Sequence, residues 1–119
     1  MFKQLEREIM QKATELLVPI YALTNKFPPD EIQVRVNELR ADAVAILLNF
    51  AEALGSENEK DLQKFVDSAL TAASNCVMEL GVAQRLEVCC PEQLEQVRAQ
   101  AEEIVRLLTG LKSSRWATT

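Results

Sequence analysis

Hydrophobic residues recur along this chain at alternating steps of three and four, the spacing that lines one face of an α-helix. Four segments carry the pattern. The first holds Phe2, Leu5, Ile9, Ala13, Leu16, Ile20, Leu23 and Phe27. Pro19 falls inside it, where the missing backbone donor should kink or locally open the helix near Glu15. The stripe keeps phase across the proline, which predicts one element ending at Pro28-Pro29. The second segment opens near Asp30 and carries Ile32, Val36, Leu39, Ala43, Ile46, Phe50 and Leu54, with Gly55 placed to cap it. The third opens with Ser56 and Glu59, the spacing of a capping box. Its stripe is Leu62, Phe65, Ala69, Ala72, Cys76, Leu80, Ala83 and Leu86. Gly81 interrupts it at a cost of about 1 kcal/mol, but the phase continues beyond. The fourth begins at Pro91, a residue favoured at a first helical position, and repeats through Leu94, Val97, Ala101, Ile104, Leu108 and Leu111.

The predicted helices span about 2–27, 30–54, 57–87 and 91–112, in a single domain of residues 1–119 that ends in a mobile tail, 113–119. Short links (Pro28-Pro29, Gly55-Ser56 and Val88-Cys89-Cys90) between long helices favour antiparallel neighbours. The expected fold is therefore all-α, an antiparallel up-down-up-down four-helix bundle. Composition agrees: three glycines, four prolines and 5% aromatics leave a chain dominated by helix formers.

One segment carries more apolar surface than a single buried face needs. From Ala43 to Ala51 the second helix is apolar nearly all round, and Val44, Leu47, Leu48 and Ala51 have no place in its stripe. An outer helix of a solitary bundle shows a polar face. These four residues are either a wide core face or a second buried face, and the second reading makes them subunit-interface candidates. The third helix is rich in small residues (Ala69, Thr71, Ala72, Ala73, Ser74 and Cys76), which lets a neighbour approach closely.

Candidate chemistry is sparse. The chain has no histidine, so the commonest general base and zinc ligand is missing. No nucleophile elbow, phosphate-cradling glycine loop or calcium loop is present. No catalytic residue, cofactor or metal site is expected, and the protein is read as not an enzyme. Asp42, Asn49 and Glu52 lie on one side of the second helix; such a stripe could bind a cation or a partner, but it reads as polar residues on the solvent edge, or with Asn49 bonding a neighbouring backbone. Glu95, Glu102 and Glu103 with Arg98 and Arg106 read as surface ion pairs, Glu102 with Arg106 among them. Cys76 lies on the core stripe. Cys89 and Cys90 form a poor disulfide framework, so all three are expected as reduced thiols in a cytoplasmic protein. The first residues lack the apolar core of a signal peptide. The longest apolar run, Ala43 to Leu48, is too short to span a membrane. Lys112, Arg115 and Trp116 make a small basic-aromatic group that could touch nucleic acid or pack back on the bundle. The net charge of −5 argues against a phosphate-binding role.

Tyr21-x-Leu23-Thr24-x-x-Phe27-Pro28, then Glu31, then Leu39-Arg40-x-x-Ala43-Val44-x-Ile46-x-x-Asn49-x-Ala51-Glu52 resembles the 23S rRNA-intervening-sequence protein family. Phe65, Ala69, Leu70 and later leucines continue the likeness, which covers roughly Leu16 to Leu111. Arg40, Asn49 and Glu52 are the polar residues of its motif. The resemblance implies a bacterial-type four-helix bundle that assembles as a barrel-like homopentamer. Members are encoded within intervening sequences of bacterial large-subunit rRNA genes, or stand alone. A related protein, the accessory variability protein of diversity-generating retroelements, works with a reverse transcriptase and binds nucleic acid through a basic surface. The resemblance thus implies an RNA- or DNA-associated accessory role, with Arg40, Lys112, Arg115 and Trp116 as candidate contacts. This chain departs from the pattern. Ala41 follows Arg40 where the family has a second arginine, Leu47 replaces a proline, and Ala53 replaces a glycine. The family's basic stretch becomes Gly55-Ser56-Glu57-Asn58-Glu59. Between Pro28 and Cys90 eleven acidic residues face five basic ones, a field that repels phosphate. The expected partners are further copies of the chain and an unidentified protein, with nucleic acid disfavoured.

Overall fold

The computed structural model describes residues 3–28 and 33–116. Phe2, Ile32 and the expected start of the second helix at Asp30 lie outside the described residues. Four helices, and among the described residues no strand, make up the fold: α1 Lys3–Thr24, α2 Gln33–Leu54, α3 Glu59–Arg85 and α4 Pro91–Trp116. The molecule measures 44 × 24 × 21 Å. At about 1.5 Å per residue, α3 alone accounts for its long axis. Each helix packs on its neighbour in sequence, and α1 also packs on α4; among the described residues no Cα atoms of the diagonal pairs come within 8 Å of each other. Among the described residues no helix is long and apolar enough to cross a membrane.

The stripes become the core. Ile9, Ala13, Leu16, Ile20 and Leu23 of α1 meet Val36, Leu39, Ala43, Ile46 and Phe50 of α2. All six stripe residues of α4 are buried as well. Pro19 lies within α1, and Gly81 within α3, without ending either helix. On α3 the buried face is wider than one stripe, because that helix serves both α2 and α4. Val66 and Ala73 are fully buried there, while Phe65 is only half-buried. At two helix ends the expected core position is replaced. Leu54 and Leu86 are exposed, and Ala53 is buried in place of the former.

The helix ends differ from the expected caps for local reasons. Gly55 does not take a positive φ. Its N–H continues the α2 ladder to Ala51, and the Ser56 hydroxyl closes the end by donating to the Glu52 carbonyl at 2.8 Å. Asn58, not Ser56, caps α3: its Oδ1 accepts from the Asp61 N–H at 2.8 Å, and its Nδ2 donates to the Asp61 carboxylate. Glu59 is therefore free of the capping box and pairs elsewhere. The tail expected over 113–119 is, as far as Trp116, the last part of α4. Lys112 bridges to Asp67 at 2.6 Å, and Arg115 and Trp116 both hold Glu59. These contacts join α4 to the first half of α3 and suppress fraying; residues 117–119 lie outside the described set.

Between α3 and α4 the chain turns through a Schellman motif. The Val88 N–H reaches the Ala83 carbonyl and the Glu87 N–H reaches Gln84. Glu87 occupies the left-handed position, φ 52°, that glycine fills without strain. Glu87→Gly is expected to stabilise the fold by about 0.5–1 kcal/mol, read as a raised urea midpoint. Gly81→Ala is expected to do the same by about 0.5–1 kcal/mol, since a Cβ there meets no atom within 4 Å.

Candidate functional site

Arg40 projects from α2 toward the end of α1. Its guanidinium lies over the Tyr21 ring, 4.6 Å from the centroid. Its Nε donates to Thr24 Oγ1 and its Nη2 to Asn25 Oδ1, both at 2.8 Å. Thr24 is buried and donates its own hydroxyl hydrogen to the Ile20 carbonyl, so its oxygen is fixed to receive Arg40. The motif spacing thus has a mechanical cause: Tyr21, Thr24 and Arg40 form a clamp between α1 and α2. Asn49 is half-buried and donates to the Ala45 carbonyl of its own helix at 2.9 Å, while Glu52 is exposed.

The outer face of α2 separates the interface candidates. Leu48 is 60% exposed. Ala51 is exposed and Val44 half-buried on the same side. Leu47 instead packs partly against the core, and so belongs to the flank of the bundle. Ala41, exposed and three residues before Val44, lengthens the stripe. It is the position where the family resemblance places a second arginine, and it lies before the apolar run that begins at Ala43. On α1, Val18 is 76% exposed and Tyr21 41%, which continues apolar surface across the Arg40 clamp.

The remaining nucleic-acid candidates sit at the opposite end of the molecule from Arg40. Arg115 bridges Glu59 of α3 at 2.8 Å and Glu6 of α1 at 3.7 Å, and its guanidinium lies 5.5 Å from the Trp116 ring centroid. The Trp116 indole N–H donates to Glu59 at 2.8 Å. Arg115 and then Trp116 hold the Glu59 carboxyl below its usual pKa. Three helices meet at this group, and its cations face carboxylates of the same chain. Along α4, Arg98 lies near Glu95 and Glu102, and Arg106 pairs with Glu103 and not with the expected Glu102.

Three titratable groups inside the bundle, Cys76, Cys89 and Glu79, have raised pKa values. Burial pushes the Cys76 thiol far up, helped by the nearby Asp42 and Glu79 charges. Burial, then a hydrogen bond with Cys90, pushes the Cys89 thiol up to about 11 against the opposing charge of Lys26. All three cysteines are free. Between α2 and α3, Glu79 is pushed up to about 8. Desolvation is the largest cause, followed by its hydrogen bond with Asp42 and the charges of Asp42 and Glu38; Arg35 opposes them. One oxygen, Oε1, is buried and unpartnered among the described residues. The shift favours the protonated carboxyl, which hydrogen-bonds with Asp42. Among the described residues no group of three or more acidic, cysteine or histidine side chains is placed to hold a metal ion.

Four packed helices, with no strand among the described residues, define an all-α protein of the four-helix class. A sequence profile of the 23S rRNA-intervening sequence protein matches residues 5–110, and the chain belongs to that family. The fold is shared with a crystal structure of a protein of unknown function from the S23 ribosomal protein family of Bacteroides thetaiotaomicron. The two are 25% identical, with a TM-score of 0.80 over 90% of this chain and 96% of the other. A comparison with curated proteins finds no match.

Two outcomes test this site. Arg40→Ala is expected to destabilise the fold by about 1–3 kcal/mol through the lost charged hydrogen bonds and ring contact, measured by chemical denaturation. The raised Glu79 pKa sets a sign for pH dependence. The folded state binds this proton more tightly than the unfolded one, so the stabilisation is complete below the unfolded value near 4.5 and is lost as pH rises through about 8. Glu79→Gln is expected to flatten the fall in the urea midpoint between those two values.

Proposed function

We propose that this protein is a non-enzymatic scaffold, an up-down-up-down bundle that assembles as a homo-oligomer and binds a protein partner. The observation that carries the reading is the exposed apolar stripe of α2. A surface helix keeps such residues where another chain covers them. The up-down reading draws support from contacts between opposite helix ends: Glu6 with Arg115, Lys26 with Gln93, and Gln84 with Glu95. Five subunits is the number suggested by the family likeness. A cytoplasmic setting agrees with three free cysteines.

The family name favours a second reading, an RNA- or DNA-associated accessory protein. Set against it are the net charge of −5 and the carboxylates that engage Lys112 and Arg115. Arg40, held in the α1–α2 clamp, adds little further basic surface.

Light scattering after size exclusion should give a mass of several chains at micromolar concentration. Leu48→Glu should reduce it to one chain with helicity unchanged; a wild-type monomer would sink the scaffold reading. For the second reading, fluorescence anisotropy with a labelled RNA should show no binding at low salt. Binding that weakens steeply as salt rises would favour nucleic acid instead.

A further inference from the structure

We propose that the outer stripe of α2 docks head to tail into the groove between α1 and α4 of a second copy of this chain. The inference rests on the oligomeric reading above and adds which two surfaces meet.

The groove consists of two adjoining depressions that share Ala99 and Gln100. One, about 570 Å³, is lined by Pro19, Ala22, Leu23 and Val97 among others. The other, about 230 Å³, is bordered by Lys12, Glu15 and the Arg106–Glu103 ion pair. The convex apolar ridge suits a concave groove whose larger depression is lined by Pro19, Ala22, Leu23 and Val97 together with Gln93, Gln96 and Gln100, whereas the ridge against its own copy would leave the groove uncovered.

The registers of the two surfaces agree. Arg40 is bonded to Thr24, and Lys26 to Gln93, so these residues mark one level along the bundle. Forward from Arg40 to Glu52, and back from Thr24 to Lys12, is the same number of residues, about 18 Å of helix. The same distance from Gln93 arrives beside Arg106. In a ring whose axis runs along the bundle, neighbouring copies keep their levels. Val44 then meets the larger depression, Leu48 and Ala51 meet the smaller, and the Glu52 carboxylate arrives beside Lys12, while Arg106 is held by Glu103. Neither Glu52 nor Lys12 is in an ion pair within its own chain among the described residues.

The directions agree as well. Arg40 faces α1 and Asp42 faces α3. At about 100° per residue, the stripe then points outward and about 30° toward α1. In a square bundle that direction lies about 105° from the α1–α4 face. Head-to-tail rings of four to six subunits need about 90–120° between contact faces, a range that contains this angle.

Two exposed substitutions separate the halves of the interface. Leu48→Glu spoils the ridge and keeps the groove; Ala99→Arg spoils the groove and keeps the ridge. Each is expected to give a single chain by light scattering, with helicity unchanged by circular dichroism. Mixed in equal amounts at high micromolar concentration, they are expected to form a two-chain species, because one intact ridge meets one intact groove. If Ala99→Arg stays assembled like the wild type, the groove is not the acceptor, though the oligomeric reading stands. A mixture that stays monomeric rules out head-to-tail docking. A wild-type monomer removes both readings. Should Ala99→Arg lose helicity, Gln96→Arg, at an exposed position lining the same groove, takes its place with the same expected and contrary outcomes.

Discussion

The close approach of α2 and α3 is the constraint on which the rest of this fold depends. Ala69, Ala72, Ala73 and Cys76 present almost no side-chain bulk, so the larger apolar residues of α2 can fill the space between the helices. That seam is the most extensively packed pair in the molecule. It also brings Asp42 and Glu79 together in a place where two carboxylates cannot both be charged at low cost. The raised pKa of Glu79 follows from packing. It is a by-product of a seam built from small residues, at which a polar pair must share a proton.

With its inner face committed to that seam and to the core, α2 has an outer face available for association. Nothing in the intrachain packing requires Val44, Leu48 and Ala51 to be apolar. Ala41 sharpens the contrast with the family pattern, since an arginine there would make the same ridge basic. Alanine in that place leaves the ridge of Ala41, Val44, Leu48 and Ala51 without charge. At the other end of the molecule, Lys112 and Arg115 neutralise acidic groups of their own chain.

Most of the core was legible from the sequence, because a three-four repeat is a direct consequence of helical geometry and survives both Pro19 and Gly81. Failures cluster where that repeat no longer governs. Leu54 and Leu86 stand at helix ends, beyond the reach of the neighbouring helix, so the correct phase did not bring burial. Val66 and Ala73 were missed because α3 has two neighbours and hence a broader buried face than one stripe describes. Ser56 and Gly55 offered an acceptable cap, but Asn58 stood closer to the helix and bonded Asp61 from both ends of its amide. The last turn of α4 resembled a tail because the partners that hold it, Glu6, Asp67 and Glu59, are remote in sequence. The Arg40 motif was visible as a pattern, but its role as a clamp required Tyr21 and Thr24 to be seen in space. Val44, Leu48 and Ala51 were legible as apolar excess; Leu47 was not separable from them, since a shift of one residue turns a side chain about 100° around the helix.

The group at the end of α4 has an optical consequence. Trp116 is the chain's one tryptophan, and its indole is bonded to Glu59 beside the Arg115 guanidinium. Its emission therefore comes from the junction of α1, α3 and α4 and from nowhere else in the chain. Without any added label, the protein carries a fluorophore at the place where three of its helices are tied together.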